Sequence, residues 1–198
     1  MKKYIYSIAV IMVVGAGIFS YVYFYKTGQA ESVSTAPKID LNNLASTSLP
    51  VSKDVAKKIS DPVTPQDGDI KYTNIKYSFS LYHSPEAKVV EYDLGQGAMT
   101  ITLENEKKVR GMQIFVVPYW QNEITNERFK ADVPSGVRTN IEKTEVDGVE
   151  AVTFNSVDES LGATREVWFI RGGYLYEVTT FQGVGDWFIP KMQTWRWR

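Results

Sequence analysis

The stretch REVWFIRGGYLYEVTTF at residues 165–181 constrains the fold most, because it specifies both a turn and the pairing of two strands. Two apolar runs flank a Gly-Gly pair, which is typical of a two-residue hairpin turn. Pairing outward from that turn places Ile170 opposite Leu175 and Val167 opposite Val178, with large apolar side chains on both faces. An antiparallel pair with one face in water would alternate between apolar and polar residues. This hairpin is therefore predicted to be central and covered on both faces.

Short strand-like runs separated by turn residues fill the chain from residue 69 onward. They are rich in β-branched and aromatic residues, as strands usually are. Asp147-Gly148 is a second two-residue turn, because this dipeptide tolerates the two positive φ angles of a type I′ hairpin. Most runs follow one another without a helix between them, so a largely antiparallel sheet is predicted. The predicted strands are 77–82, 89–94, 99–103, 112–118, 138–146, 149–155, 165–171 and 174–181.

Two helical patterns provide cover for this sheet. The first lies at 122–133, where Thr125 is the expected N-cap and Phe129 packs inward. The second lies at 186–193, with Asp186 as the expected N-cap. The predicted fold is therefore α+β, a central and mostly antiparallel sheet flanked by helices as an α/β/α sandwich.

Residues 4–25 form an apolar segment without a side chain that is charged at neutral pH. As a helix this segment would span about 33 Å, close to the bilayer hydrocarbon thickness of about 30 Å. Lys2 and Lys3 precede it and tyrosines cluster at both ends, so we expect a single-pass anchor in the cell membrane, with the amino terminus inside. The alternative is a signal peptide cleaved near Ala30, which would release a secreted protein. The length favours the anchor, because signal peptides usually have an apolar core of about 7–15 residues.

The segment at residues 26–68 is rich in Ser, Thr, Asn, Asp and Pro and sustains no helical or strand period. It cannot bury enough apolar surface to offset the entropy of ordering, so we predict a flexible linker. The predicted organisation is a cytoplasmic tip at 1–3, a transmembrane anchor at 4–25, a linker at 26–68 and an extracytoplasmic domain at 69–198.

Charge and composition exclude several functions. Lys and Arg number 22 against 23 Asp and Glu, for a net charge of -1, so no basic face for nucleic acid is expected. The chain has no cysteine and 1 histidine, which excludes a thiolate nucleophile and disfavours a zinc site. The common phosphate-binding, nucleophile-elbow and zinc-protease motifs are absent from the sequence. We therefore predict no catalytic residue, no cofactor and no bound metal.

Acidic residues gather around the Asp147-Gly148 turn, with Glu145 and Glu150 opposite each other in the predicted hairpin. A weak calcium site at Glu145, Asp147 and Glu150 is one hypothesis. The other is a solvated turn in which Lys143 or water relieves the repulsion. We favour the second, because calcium takes about six to eight oxygen ligands.

The aromatic residues Tyr119, Trp120 and Trp187 lie near the ends of predicted elements. Rings at such positions either line a binding surface or close the end of a core. The three residues are therefore candidates for contact with a protein or a small ligand whose identity the sequence does not give.

Glu177 shares a predicted hairpin face with Trp168 and Leu175. Apolar surroundings would raise the pKa of its carboxyl, as in a general acid. The alternative is an ion pair near the sheet edge, for which Arg165 and Arg171 are available. We favour the ion pair, because no second titratable partner is evident.

The chain ends in TWRWR at residues 194–198. Two-residue alternation after a short helix predicts a closing strand. Trp195 and Trp197 would then face the core, and Arg196 and Arg198 would face water.

YSFSLY at 77–82, VDGVEAVTF at 146–154, the central hairpin at 165–181, a short helix and a terminal MQTWRWR occur in this order. This series resembles the PsbP-like and Mog1-like domains over about the last 120 residues of the chain. The resemblance implies an α/β/α sandwich and a binding or assembly role. It implies no catalytic site, because the family shares none.

The expected function is that of a single-pass membrane protein whose extracytoplasmic domain binds a partner or assists assembly without catalysis. One alternative is an extracellular hydrolase with an unrecognised carboxylate site. Another is a structural envelope component that oligomerises through its membrane helix.

Overall fold

The computed structural model describes residues 59–105, 110–133, 135–158 and 161–198. The predicted anchor at 4–25 and most of the predicted linker lie outside these ranges. Within them, no helix is long and apolar enough to cross a membrane.

Ten strands and two α-helices are defined in the described part of the chain. A 3₁₀ turn at Gln182–Val184 leads into the second helix. In chain order the elements are β1 (Ile70–Asn74), β2 (Phe79–His83), β3 (Lys88–Gly95), β4 (Ala98–Asn105), β5 (Arg110–Pro118), α1 (Asn126–Asp132), β6 (Thr139–Val146), β7 (Val149–Asp158), β8 (Gly162–Arg171), β9 (Tyr174–Phe181), α2 (Gly185–Gln193) and β10 (Arg196–Trp197).

The strands form two antiparallel sheets. A large sheet of seven strands has the order β3-β4-β5-β9-β8-β7-β6, and a small sheet of three has the order β1-β2-β10. The antiparallel α+β fold is confirmed. The single central sheet is wrong, because the predicted strand at 77–82 corresponds to β2, which pairs with β1 and with the C-terminal β10. Strand β1 was not predicted.

The central hairpin has the predicted register, with Ile170 opposite Leu175 and Val167 opposite Val178. Its strands β8 and β9 lie inside the large sheet, between β7 and β5. The second predicted turn is also confirmed, since Asp147 and Gly148 have φ of 48° and 78°. These positive values are those of a type I′ turn.

One face of the large sheet, which we call the aromatic side, packs against the small sheet and α2. Phe79 of β2 stacks on Trp195 with ring centroids 4.2 Å apart. Tyr176 of β9 meets both rings edge-on. A helix therefore lies on each face as predicted, but on this face the small sheet, which was not predicted, provides part of the cover.

The other face, which we call the helix side, packs against α1. Phe129 of α1 stacks on Trp168 of β8 with ring centroids 4.9 Å apart, and Phe154 of β7 meets both rings edge-on. Thr125 caps α1 as predicted, because its hydroxyl accepts a hydrogen bond from the Arg128 backbone N–H at 3.2 Å.

The start of α2 differs from the prediction. Val184 is the N-cap of α2 and makes no side-chain capping bond, whereas Asp186 lies inside the first turn. The 3₁₀ turn runs directly into the helix, so no extended residue is available for a side-chain cap. Asp186 still suits its position, because a carboxylate in the first turn interacts favourably with the helix dipole.

The folded domain begins before residue 69. Ile59 is 2 % exposed and belongs to the core on the aromatic side. Ser60 lies 3.1 Å from Thr144 through their hydroxyl oxygens and accepts a hydrogen bond from the Glu145 backbone N–H. The linker predicted to end at residue 68 therefore gives way to folded structure by residue 59.

The C-terminal tail closes the aromatic side. Trp195 is fully buried, and Trp197 is partly buried against the same core. The strand is shorter than predicted, since Arg196 and Trp197 alone pair with β2. The Trp197 indole N–H donates to the carbonyl of Val146, which ties the tail to the β6–β7 hairpin.

Candidate functional site

Glu177 lies on the helix side in a buried ion-pair cluster. The Arg128 guanidinium lies 3.0 Å from Glu177 Oε1 and also contacts the Asp132 carboxylate one helical turn away. The predicted ion pair of Glu177 with Arg165 or Arg171 is wrong, because both arginines project from β8 on the face opposite Glu177. Register shows this directly, since Glu177 lies opposite Trp168 and neighbouring strand residues alternate between faces.

Burial dominates the protonation of this cluster. Desolvation, and then the charge of Asp132, raise the pKa of Glu177 well above its usual range, while Arg128 opposes the shift. Desolvation also raises the pKa of the Asp132 carboxyl. One guanidinium faces two buried carboxyls, so the cluster is neutral when one of the two carboxyls retains a proton.

Glu166 is a second buried carboxylate on the helix side and was not singled out from the sequence. It accepts hydrogen bonds from the hydroxyls of Thr164 at 2.8 Å and Thr179 at 2.6 Å. The Trp168 indole N–H also donates to it, at 3.2 Å. Desolvation raises the pKa of Glu166 even though these donors lower it. Alternation places Glu166 and Trp168 on one face, and that pattern was readable in the sequence.

Glu166 and Glu177 are diagonal neighbours on adjacent strands, because Glu166 lies opposite Thr179 and Glu177 opposite Trp168. Diagonal positions lie about 7–8 Å apart, a separation that a pair of catalytic carboxylates also uses. Both residues are 6 % exposed. Their partners come from the fold itself, so the described geometry holds them as buried structural groups.

The acidic turn is held by protein contacts. Lys143 lies 3.0 Å from Glu150 and relieves its repulsion with Glu145, which is directly opposite. Asp147 accepts a hydrogen bond from the Trp197 backbone N–H at 2.8 Å and so holds the C-terminal tail. In the described ranges no group of three or more acidic or histidine side chains is placed to hold a metal ion.

The aromatic candidates do not form one surface. Trp187 is buried in the core of the aromatic side, and Tyr119 is buried on the helix side. Trp120 is 85 % exposed. Of the three predicted residues, Trp120 alone exposes its ring to solvent.

The segment that carries Trp120 is fixed by its neighbours. The Tyr119 backbone N–H donates to the carbonyl of Gly173 at 2.7 Å. The indole of Trp120 lies against Gly173, where an added Cβ would come within 2.9 Å of the ring. The Tyr119 hydroxyl donates to the carbonyl of Glu123 at 3.0 Å and holds the following loop. The exposed ring therefore packs on one side against the β8–β9 turn.

A second exposed apolar side chain, Ile75, lies at the same end of the molecule. Ile75 is 82 % exposed in the β1–β2 turn. The next ring along, Tyr77, donates its hydroxyl to the carbonyl of Gly97 and packs edge-on against Tyr174, next to Gly173. We call this region the turn end: Ile75, Trp120 and the turns at 96–97 and 172–173.

Comparisons with known proteins give likeness of structure alone. No protein-family profile and no curated protein matches the chain. One similar solved structure is the solution structure of cyanobacterial PsbP from Synechocystis, at 10 % identity and TM-score 0.49, covering 68 % of this chain and 95 % of that one. Another is a crystal structure from Bacteroides thetaiotaomicron, at 13 % identity and TM-score 0.46. The match covers 67 % of this chain and about half, 49 %, of that protein.

Likeness of this degree identifies neither a family nor a function. The PsbP-like and Mog1-like assignment therefore stays a prediction from the sequence. The class that the described residues define is an antiparallel α+β domain with two sheets.

Proposed function

We propose that this protein is a single-pass membrane protein whose extracytoplasmic domain acts by binding, with the turn end as its binding surface. The apolar segment at 4–25 and the lysines before it support the anchor and its direction. The domain supplies the surface, and the anchor keeps it at the outer face of the cell membrane.

The exposure of Trp120 is the observation that carries the binding role. An indole is among the side chains that contribute most to binding surfaces, because it brings a large apolar area at little loss of conformational entropy. Trp120 is 85 % exposed yet rests on the glycine turn of the central hairpin. A rigid, exposed ring of this kind is already in place for a partner.

The burial and hydrogen bonding of the two glutamates on the helix side support binding without catalysis. Glu166 and Glu177 are each 6 % exposed, and α1 and neighbouring side chains already occupy their oxygens. The hydrolase alternative would use their diagonal spacing, but it requires α1 to move away so that substrate reaches them. If purified full chain hydrolysed glycan or peptide, and Glu166→Gln and Glu177→Gln abolished that activity, the hydrolase would replace the binding role.

Cysteine labelling tests the topology, because the native chain contains no cysteine. Val157→Cys places a thiol on a half-exposed residue at the end of the sheet opposite the turn end. A membrane-impermeant maleimide should label it on intact cells, and the chain should stay in the membrane after alkaline extraction. Labelling that requires lysis would contradict the topology, and release into the medium would support signal-peptide cleavage.

Cysteine protection tests the binding surface. Asn122→Cys places a thiol on an exposed residue beside Trp120 and leaves the indole in place. The measured quantity is the rate of maleimide labelling at position 122 divided by the rate at position 157. We expect this ratio to be lower in native membranes than in purified protein, because a partner covers the turn end. An unchanged ratio would rule out an occupied turn end.

A further inference from the structure

The turn end is the most apolar exposed part of the described domain. Ile75 and Trp120 are 82 % and 85 % exposed, and no other large apolar side chain in the described ranges exceeds 55 %. The turn that carries Ile75 is closed by a hydrogen bond from the Ser78 backbone N–H to the Ile75 carbonyl, and the segment that carries Trp120 is held by the bond from the Tyr119 backbone N–H to the Gly173 carbonyl. Two separate loops thus present isolated apolar tips in one direction along the sheet.

The chain enters the described domain beside this same end. Ser60 contacts Thr144 and Glu145, near the end of β6. The next turn, at Asp147-Gly148, lies at the same end of the large sheet as the 172–173 turn, because Ala151 of β7 pairs with Phe169 of β8. The first described residues, Ile59 and Ser60, therefore lie toward the end of the sheet where Ile75 and Trp120 are exposed.

We infer that the turn end docks on the outer surface of the bilayer that holds the predicted anchor, with Trp120 and Ile75 entering the headgroup region. The inference rests on the proposed function and names the partner of its binding surface. Residues 26–58 separate the predicted anchor from the domain. A flexible linker of this length has a root-mean-square reach of about 30 Å, so the turn end can touch the membrane without straining the tether.

The chemistry of the two tips suits a membrane interface. An indole combines an apolar ring with an N–H donor and favours the headgroup level, and an isoleucine favours the acyl boundary. The residues that follow Trp120, Gln121 and Asn122, are polar and uncharged. A tethered domain needs only weak contacts, because the anchor converts docking into an intramolecular step at high effective concentration.

The charged side chains at the turn end favour a bilayer of zwitterionic lipids over one of anionic lipids. The acidic turn with Glu145, Asp147 and Glu150 lies at the same end of the large sheet but at its β6 edge, four strands from the β5 strand that leads to Trp120. Lys76 is an exposed base beside Ile75. Arg171 is a second exposed base, next to the 172–173 turn, but exposed Glu123 and the acidic turn carry the opposite charge. Charges of the two signs offset each other at this end, so the apolar tips provide the main attraction.

The test uses the full chain in proteoliposomes of phosphatidylcholine alone. Ile75→Cys is labelled with an environment-sensitive fluorophore, and Val157→Cys with the same label is the matched control. We expect blue-shifted emission at position 75, with quenching by a nitroxide on shallow acyl carbons, and water-like emission without quenching at position 157. Adding Trp120→Ser to the labelled Ile75→Cys chain should reduce the shift and the quenching, because the remaining native tip is lost.

The outcomes separate this inference from the proposed function. If the fluorophore shows water-like emission at both positions while the chain resists alkaline extraction, membrane docking is overturned and the predicted anchor stands. Equal quenching at both positions would also overturn it, because the contact would not be specific to the turn end. Protection of position 122 in cells without quenching in lipid-only vesicles would mean that a protein occupies the surface. A chain that alkali extracts from the vesicles would refute the anchor itself.

Discussion

The two sides of the large sheet are sealed in different ways. The aromatic side buries a network of uncharged rings that includes Phe79, Phe169, Tyr176 and Trp195. The helix side buries two glutamates of the sheet under a helix of 7 residues. Ring burial depends little on pH, whereas a buried carboxyl changes its energy with each proton. The difference shows that one sheet can bury rings whose energy depends little on pH on one face and proton-sensitive carboxyls on the other.

The largest expected effect is on the aromatic side. Trp195→Ala should lower the free energy of unfolding by about 3–5 kcal/mol, because it leaves a cavity among fully packed rings. Urea denaturation followed by circular dichroism measures the change. Trp120→Ala is the matched control, since it removes the same side chain from an exposed position and should cost under about 1 kcal/mol. Equal losses in both variants would mean that the tail does not close the core.

On the helix side, Arg128→Ala should cost about 3 kcal/mol at pH 8, because two buried carboxyls lose their shared cation. The double variant Arg128→Ala with Glu177→Gln should recover part of the loss. Urea denaturation of the wild type and both variants measures this recovery in the free energy of unfolding. No recovery would indicate that Arg128 contributes by packing and not by charge.

The two sides should also differ in their response to pH. The folded pKa values of Glu166 and Glu177 are raised, so the folded protein binds these protons more tightly than the unfolded chain. Their stabilising contribution is complete below the ordinary value of 4.5 and is lost as the pH rises through the raised pKa values. The slope reaches at most about 1.4 kcal/mol per pH unit for each group.

Glu166→Gln should therefore flatten the decline of stability between pH 4.5 and neutral pH. Trp195→Ala should lower the whole curve and leave its shape unchanged. Urea denaturation over this range compares the two. A wild-type stability that increases with pH above 4.5 would contradict the shifted protonation of the helix side.

A smaller effect is expected at the start of α1. Thr125→Ala removes the hydroxyl that accepts the Arg128 backbone N–H and should cost about 1 kcal/mol. Thr125→Ser retains the hydroxyl and serves as the control. Thermal unfolding of both variants checks the prediction, and an equal loss in Thr125→Ser would point to packing of the methyl group instead.

The smallest effect is expected at Arg196, although it lies between two structural tryptophans. Its guanidinium is 3.9 Å from Asp147, and their side chains are 39 % and 30 % exposed. Exposed pairs of this kind contribute about 0–1 kcal/mol. Arg196→Ala should therefore change the urea midpoint little, and a loss close to that of Trp195→Ala would show that this pair is part of the fold's closure.

The sequence by itself determined the local structure. The glycine turns, the hairpin register around residues 172 and 173 and the cap at Thr125 follow from neighbours in the chain, because φ preferences and side-chain alternation act over a few residues. The two-faced apolar pattern also predicted a central hairpin. The alternation of β8 and β9 is also sufficient to exclude Arg165 and Arg171 as partners of Glu177, although both were predicted as partners.

The tertiary structure alone decided which distant segments meet. The pairing of β2 with the last strand, the burial of Ile59 and the ion pair of Arg128 with Glu177 join residues far apart in sequence. Such contacts depend on how the two sheets and α1 pack as a whole, and no local preference encodes them. The same holds for the binding surface, because exposure separates Trp120 from the buried Tyr119 and Trp187, and exposure is a property of the folded chain.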